Sequence, residues 1–274
     1  MISAPLHLFR SLISFGLAGA LMTAPALAND PTDGIKATSV AGLRETCRAG
    51  LQAPPRDPLA LIARHDAALA ACGALLDGNK LEGQALIDTL LDRADLLAPA
   101  SGATYQRALA DYARVIALAP NMATAFWKRG KARLLYMRDL RGALRDLDSA
   151  IRLNPSEAEF HVTRASIHSA RGERTMALRD LDRAVALAPR LERAWTVRGL
   201  AYLDKGDLAR AIADFDEAIR IAPDSADNYR FRAAAWRTAD RAAEAASDEA
   251  KAQELSIRER SPGAPAVPVA PTRP

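Results

Sequence analysis

From about residue 82 to residue 255, apolar residues recur three and four places apart, the spacing that keeps them on one face of a helix. The helical runs come in pairs. Three stretches show this best: FWKRGKARLLYMRDLRGALRDLDSAIRLNP (126–155), FHVTRASIHSARGERTMALRDLDRAVALAP (160–189) and AWTVRGLAYLDKGDLARAIADFDEAIRIAP (194–223). Pro120, Pro155, Pro189 and Pro223 close successive pairs, where a helix can stop but not continue. Gly172 and Gly206 fall between the two runs of a pair, where a left-handed residue lets the chain reverse. Gly130, Ala165, Gly199 and Ala233 on one helix, and Ala108, Ala143, Ala177, Ala211 and Ala245 on the other, mark close crossings. Leu147, Leu181 and Phe215 fill the space between them. The Arg series Arg93, Arg129, Arg164, Arg198 and Arg232 repeats at spacings of 36, 35, 34 and 34. A helical pattern with a period of 34 predicts stacked hairpins, each burying its apolar face on its neighbours. No strand-like alternation appears, so the chain is expected to be all-helical.

The series Trp195, Gly199, Tyr202, Gly206, Ala211, Phe215, Ala218 and Pro223 resembles the tetratricopeptide repeat family almost position for position. The resemblance spans about residues 82–258, as five units at 82–120, 123–155, 158–189, 192–223 and 226–255. It implies an all-α, right-handed superhelical solenoid of about five hairpins behind an N-terminal helical segment. It also implies a concave groove lined by the first helix of each unit, used to bind peptides or protein segments rather than for catalysis. Three units depart from the pattern. The first has Pro99 and two extra residues in its turn. The second has one extra residue near Met137–Asp139. The fifth lacks a closing Pro and runs polar, as the end of a stack requires.

Each Arg is followed half a repeat later by an Asp: Asp111, Asp146, Asp180, Asp214 and Asp248. The Arg sits on the first helix beside the small close-packing residue. The Asp sits on the second, just before the large apolar one. This phase predicts five ion pairs that join the two helices of each unit, with the Arg stems laid on apolar surface. The alternative is that both series are solvated.

The N-terminus reads MISAPLHLFRSLISFGLAGALMTAPALA. Arg10, a short apolar run at 11–22 and the small-x-small sequence Ala26-Leu27-Ala28 predict a secretory signal peptide cleaved after Ala28. The run is short for a membrane span of about 20 residues, and no other stretch is expected to span one. The expected location is the periplasm, or outside the cell. Cys47 and Cys72 are the only cysteines, and an even count in an oxidising compartment reads as a disulfide. A Cys47–Cys72 bond would tie together two helices of the segment at 29–81. Removing residues 1–28 takes one Arg and no acid, so the net charge of +4 falls to +3. That mild balance gives no reason to invoke nucleic acid. Residues 261–274 (SPGAPAVPVAPTRP) are Pro-rich and predict an extended tail, solvated or serving as a docking ligand.

No phosphate loop, nucleophile elbow or Ser/His/Asp arrangement is present, so neither enzymatic activity nor a cofactor is expected. His161 and His168 share a helix face where the family places core aromatics. A zinc pair there lacks a third ligand. The repeat register puts Trp127, Lys131, Leu134, Val162, Ser166, Ser169, Arg193, Thr196, Leu200, Arg230, Ala234 and Arg237 on the groove. Trp127 matches Val162 and Thr196 in later units, so the scaffold does not require an indole there. It either packs on the preceding repeat or anchors a ligand. With Lys128 and Lys131 beside it, an apolar anchor with acidic neighbours would suit the groove. The Lys/Asn pattern with which some relatives grip a free C-terminus is absent. The expected partner is a protein or peptide of the cell envelope, held by a scaffold. The alternative is a periplasmic chaperone with many clients. The oligomeric state is left open by the sequence.

Overall fold

The structure, a computed structural model, describes residues 39–52, 58–78 and 81–260. The expected signal peptide and the Pro-rich tail lie outside the described residues. Among the described residues there are helices and no strands. The chain divides into two compact units, one ending at Pro155 and one beginning at Ser156.

The first unit contains three hairpins. Helix α1 (Val40–Ala49) packs on α2 (Pro58–Asp77), α3 (Gly83–Leu97) on α4 (Gly102–Leu118), and α5 (Ala123–Ala132) on α6 (Leu140–Leu153). Between α5 and α6, Arg133–Met137 form one π-helical turn. Ser39 caps α1 through a bond to its side chain from the Gly42 amide, and Asp139 caps α6 through Gly142. Cys47 and Cys72 are bonded and buried with Ala68, Ala71, Leu75 and Leu96, which fastens α1 to α2. Gly50 allows the close approach there, since a Cβ would stand 2.5 Å from that of Ala68.

One correction concerns membranes. Leu59–Asp77 within α2 is long and apolar enough to cross a bilayer. Its Ala68, Ala71, Cys72 and Leu75 face is buried, however, and it carries Arg64, His65 and Asp66. A helix that must bury one side against α1 and α3 accumulates apolar residues for that reason.

The second unit stacks α7 (Ala158–Ala170) with α8 (Arg174–Leu187), α9 (Glu192–Lys205) with α10 (Leu208–Ile221), and α11 (Ala226–Thr238) with α12 (Ala242–Arg260). Successive hairpins meet through α8 on α9 and α10 on α11. Gly206 turns the chain after α9 at φ 80°, a conformation that suits a residue without a Cβ. At the crossing of α9 and α10, a Cβ on Gly199 would stand 2.7 Å from the Phe215 ring, so the small residue sets how closely the helices approach.

Every hairpin from α3 onward is joined by a two-pronged ion pair. Arg93 reaches Asp111 at 2.8 Å, Arg129 reaches Asp146 at 2.7 Å, and Arg164 reaches Asp180 at 2.7 Å. Arg198 reaches Asp214 at 2.8 Å and Arg232 reaches Asp248 at 2.7 Å. In each pair Nε and Nη2 donate to the two carboxylate oxygens, the geometry that matches a planar guanidinium to a carboxylate. All five Asp side chains are buried. Arg198 also lies 4.9 Å from the centre of the Trp195 ring, so its charge is held by an aromatic face as well as a carboxylate.

A second set of acids extends the staple. Arg198 Nη1 donates to Asp182 at 2.9 Å, and Arg232 Nη1 donates to Asp216 at 2.7 Å. Each of these acids belongs to the second helix of the preceding hairpin, so one guanidinium clamps three helices. The sequence shows the signal as Asp-x-Asp at fixed phase (Asp180 and Asp182, Asp214 and Asp216), which by itself reads equally well as a solvated face.

Candidate functional site

The one-residue insertion expected near Met137–Asp139 is absorbed by the π-helical turn. It ends at Arg138, which takes a left-handed conformation at φ 54°. A non-glycine residue there and a π turn both carry strain, of a kind often found at functional sites. The amide of Arg138 still reaches the Arg133 carbonyl, and Asp139 restarts the chain as the cap of α6. The extra residue changes what the end of α5 presents. Arg133, at the place Tyr202 takes in α9, turns toward the ion pair and donates to Asp146 at 2.6 Å. Leu135 and Tyr136 of the same turn line a cleft of about 200 Å³.

Residues of α3 and α4 line it too. Asp95 and Ala98 lie at the end of α3, and Tyr112 comes from α4. Trp127, Lys128, Lys131 and Ala132 of α5 complete the lining. The Tyr112 hydroxyl donates to Asp95 Oδ1 at 2.5 Å, and the Lys128 ammonium pairs with Oδ2 of the same carboxylate. Burial, reinforced by the Asp95 charge, pushes the Tyr112 phenol well above its usual value, which keeps it a neutral donor. The Lys131 ammonium lies 5.1 Å from the centre of the Trp127 ring. The cleft therefore offers three aromatic rings, a leucine and two alanines, with its carboxylate already held by a lysine and a tyrosine. Tyr136 is 40% exposed, so the cleft opens to solvent at its rim.

The residues assigned to the groove by register divide into three groups. Trp127 and Lys131 line the cleft, while Leu134 is half-buried beside it on the π turn. In the second unit, Ser166 is half-buried and donates to its own helix at the Val162 carbonyl. Arg193 pairs with Glu159 at 2.5 Å. Arg230 pairs with Asp227 at 2.6 Å and donates to Ser256, and Arg237 pairs with Glu249 at 3.1 Å. Thr196, Leu200, Val162 and Ala234 are buried and present no surface to a partner. Thr196 donates to Asn228 Oδ1, and Leu200 packs among Tyr202, Phe215 and Phe231. The expectation that Thr196 and Leu200 line a groove is corrected for that reason: α11 lies against α9 at this depth and takes up their surface.

Asp95, Tyr112, Leu135 and Tyr136 belong to the cleft but are missed by the repeat register. The register compares equivalent positions and so overlooks a helix end that departs from the repeat in a π turn. The extra residue was the legible signal. His161 and His168 are buried and face the Arg164–Asp180 pair, with His161 Nδ1 3.4 Å from Asp180 Oδ1. Burial raises the Asp180 pKa, but the bonds from Arg164 and His161 outweigh it and leave Asp180 below its ordinary value. Among the described residues no group of three or more His, Cys, Asp and Glu is placed to hold a metal ion.

Comparison with known proteins agrees with the hairpin geometry. Residues 132–189 and 162–226 match the tetratricopeptide repeat family. No curated protein is similar to the chain. Among solved structures, TTC0263, a thermophilic tetratricopeptide-repeat protein of Thermus thermophilus, is 25% identical with a TM-score of 0.55, over 71% of this chain and 99% of that one. MamA of Desulfovibrio magneticus RS-1, from residue 41 to its end, is 20% identical with a TM-score of 0.55, over 66% of this chain and 100% of that one. A further MamA structure is 23% identical with a TM-score of 0.53, over 67% of this chain and 98% of that one. At these identities the likeness concerns the fold. Repeat phase, paired helices and family match together identify tetratricopeptide repeats over residues 132–226, and the described residues on either side continue the same stacked-hairpin, helical plan.

Proposed function

We propose that the protein is an exported, non-enzymatic scaffold that holds an extended segment of another envelope protein along the first helices of its hairpins. The cleft around Trp127 carries this reading. It is open, ringed by aromatic side chains and built mainly by the first helices α3 and α5 with the π turn. Such a recess is where a partner's buried anchor would supply most of the binding energy. The Cys47–Cys72 bond and the signal-like N-terminus support a periplasmic location, since a disulfide persists where the compartment is oxidising. Fractionation with N-terminal sequencing tests that location, and a mature chain beginning at Asn29 is the expected result.

The binding reading is tested by a photo-crosslinking residue at Trp127 in cells, with an outer-face control at the exposed Arg179. One dominant envelope protein trapped at Trp127 alone supports the scaffold. A broad set of exported proteins would replace it with a chaperone. No capture above the control would overturn groove binding at this position.

A further inference from the structure

We infer that the exposed sides of α4 and α6, in the first unit, form a docking surface for an anionic phospholipid membrane. This surface is separate from the cleft around Trp127 and does not depend on the groove reading. Charge is concentrated there. Residues 101–155 hold ten arginines and lysines against four aspartates, a net +6 where the whole chain carries +4. Lys128, Arg129 and Arg133 are taken up by Asp95 and Asp146. Arg107, Arg114, Arg138, Arg141, Arg145 and Arg152 are exposed, and among the described residues none of the six is ion-paired. Many exposed arginines of the second unit do find acids: Arg174 pairs with Asp204, Arg210 with Asp207, Arg220 with Glu217 and Arg241 with Glu244.

Helical spacing gathers the six into stripes. Arg107, Arg114 and Leu118 stand seven and four residues apart and share one face of α4. Arg141, Arg145 and Arg152 share one face of α6, and Arg138 precedes them in the turn. Asp111 and Asp146 are buried in their ion pairs, which leaves Asp148 as the exposed acid of the two helices. Three observations favour a lipid surface over an acidic protein. Large apolar side chains are exposed among the arginines, Leu118 at 50% and Met137 at 49%. That mixture suits the headgroup layer, where a cation meets phosphate and an apolar tip reaches the acyl chains. Every basic residue on the two helices is Arg, whose planar fork holds phosphate oxygens in pairs. The stripes also differ in spacing from α4 to α6, so a rigid partner would need acids at matching points, whereas lipid headgroups move to meet each charge.

The test is sedimentation of the full mature chain with vesicles of phosphatidylcholine, alone or with about one-third phosphatidylglycerol. Each arginine near an anionic surface contributes about fivefold to partition. Binding to the anionic vesicles is expected to be at least tenfold stronger than to the neutral ones, and to be lost in half-molar salt. The combined variant Arg141→Gln, Arg145→Gln and Arg152→Gln should weaken it at least tenfold. The combination Arg179→Gln, Arg183→Gln and Arg190→Gln removes the same charge at exposed positions of the second unit, and should weaken it less than twofold. An environment-sensitive dye on Leu118→Cys should shift to the blue on anionic vesicles, and the same dye on Arg179→Cys should not. Equal losses from the two triple variants would mean that net charge alone draws the chain to lipid, which overturns the surface. An unshifted dye at position 118 would overturn it as well. Tight binding of soluble polyglutamate without partition onto vesicles would assign these helices to an acidic protein instead.

Discussion

The second repeat (α5 and α6) and the fourth (α9 and α10) are built on one plan and differ at one point. Both place Gly at the helix crossing, both join Arg to a buried Asp, and both close on Pro. In the fourth, an aromatic at Tyr202 leads into a glycine turn at Gly206. In the second, Arg133 stands in place of the aromatic, an extra residue forces a π turn, and Arg138 takes the left-handed position. The difference shows how a repeat acquires a site. The ion pair and the close crossing hold the hairpin whatever follows, so the helix end is free to change. In the second repeat that end includes the π turn, whose Leu135 and Tyr136 line a recess.

The largest expected effect separates the two carboxylates. Asp214 depends on Arg198, whereas Asp146 accepts from both Arg129 and Arg133. Arg198→Met should cost about 3–5 kcal/mol in urea unfolding, because it leaves a buried charge unpaired. Arg129→Met should cost clearly less, since Arg133 remains. Adding Asp214→Leu to Arg198→Met should recover much of the loss. Equal costs at the two sites, or full additivity of the Arg198 and Asp214 changes, would mean that the pairs are not what joins the helices.

Reduction of the disulfide comes next. It closes a loop of 25 residues, and its loss should destabilise the first unit by about 3 kcal/mol while leaving the second unit's protection in hydrogen exchange unchanged. Loss of protection in both units would show that the N-terminal hairpin supports the whole chain. Gly199→Ala should cost about 1–3 kcal/mol, because the added Cβ would stand 2.7 Å from the rigid Phe215 ring. A neutral substitution would show that α9 and α10 can slide apart.

The smallest effect is in pH. The bonds from Arg164 and then His161 outweigh burial and hold Asp180 below the ordinary aspartate value of 3.8, so its stabilising contribution is present above that value and lost as pH falls through the folded pKa. Asp214 has no histidine partner, and burial outweighs Arg198 and pushes it above 3.8, so its ionisation opposes folding as pH rises through the raised value. The bonds that raise Arg198 also support the charged Arg. Carboxyl titration by NMR should find Asp180 below and Asp214 above 3.8, and His161→Gln should move Asp180 upward. An unmoved Asp180 would leave Arg164 as the whole cause.

By itself the sequence determined the hairpin fold, because a period of 34 with small residues at fixed phase has few packings open to it. It also made the extra residue visible and brought each repeated Arg into phase with one Asp. Tertiary structure decided which groove positions remain open. Thr196 and Leu200 share register with Trp127 and Lys131, yet α11 buries the first two while the others line a cleft. Register fixes a residue's direction from its own helix. What stands opposite depends on the neighbouring hairpin: α11 covers Thr196 and Leu200, whereas Trp127 and Lys131 share a cleft with residues of α3, α4 and the π turn.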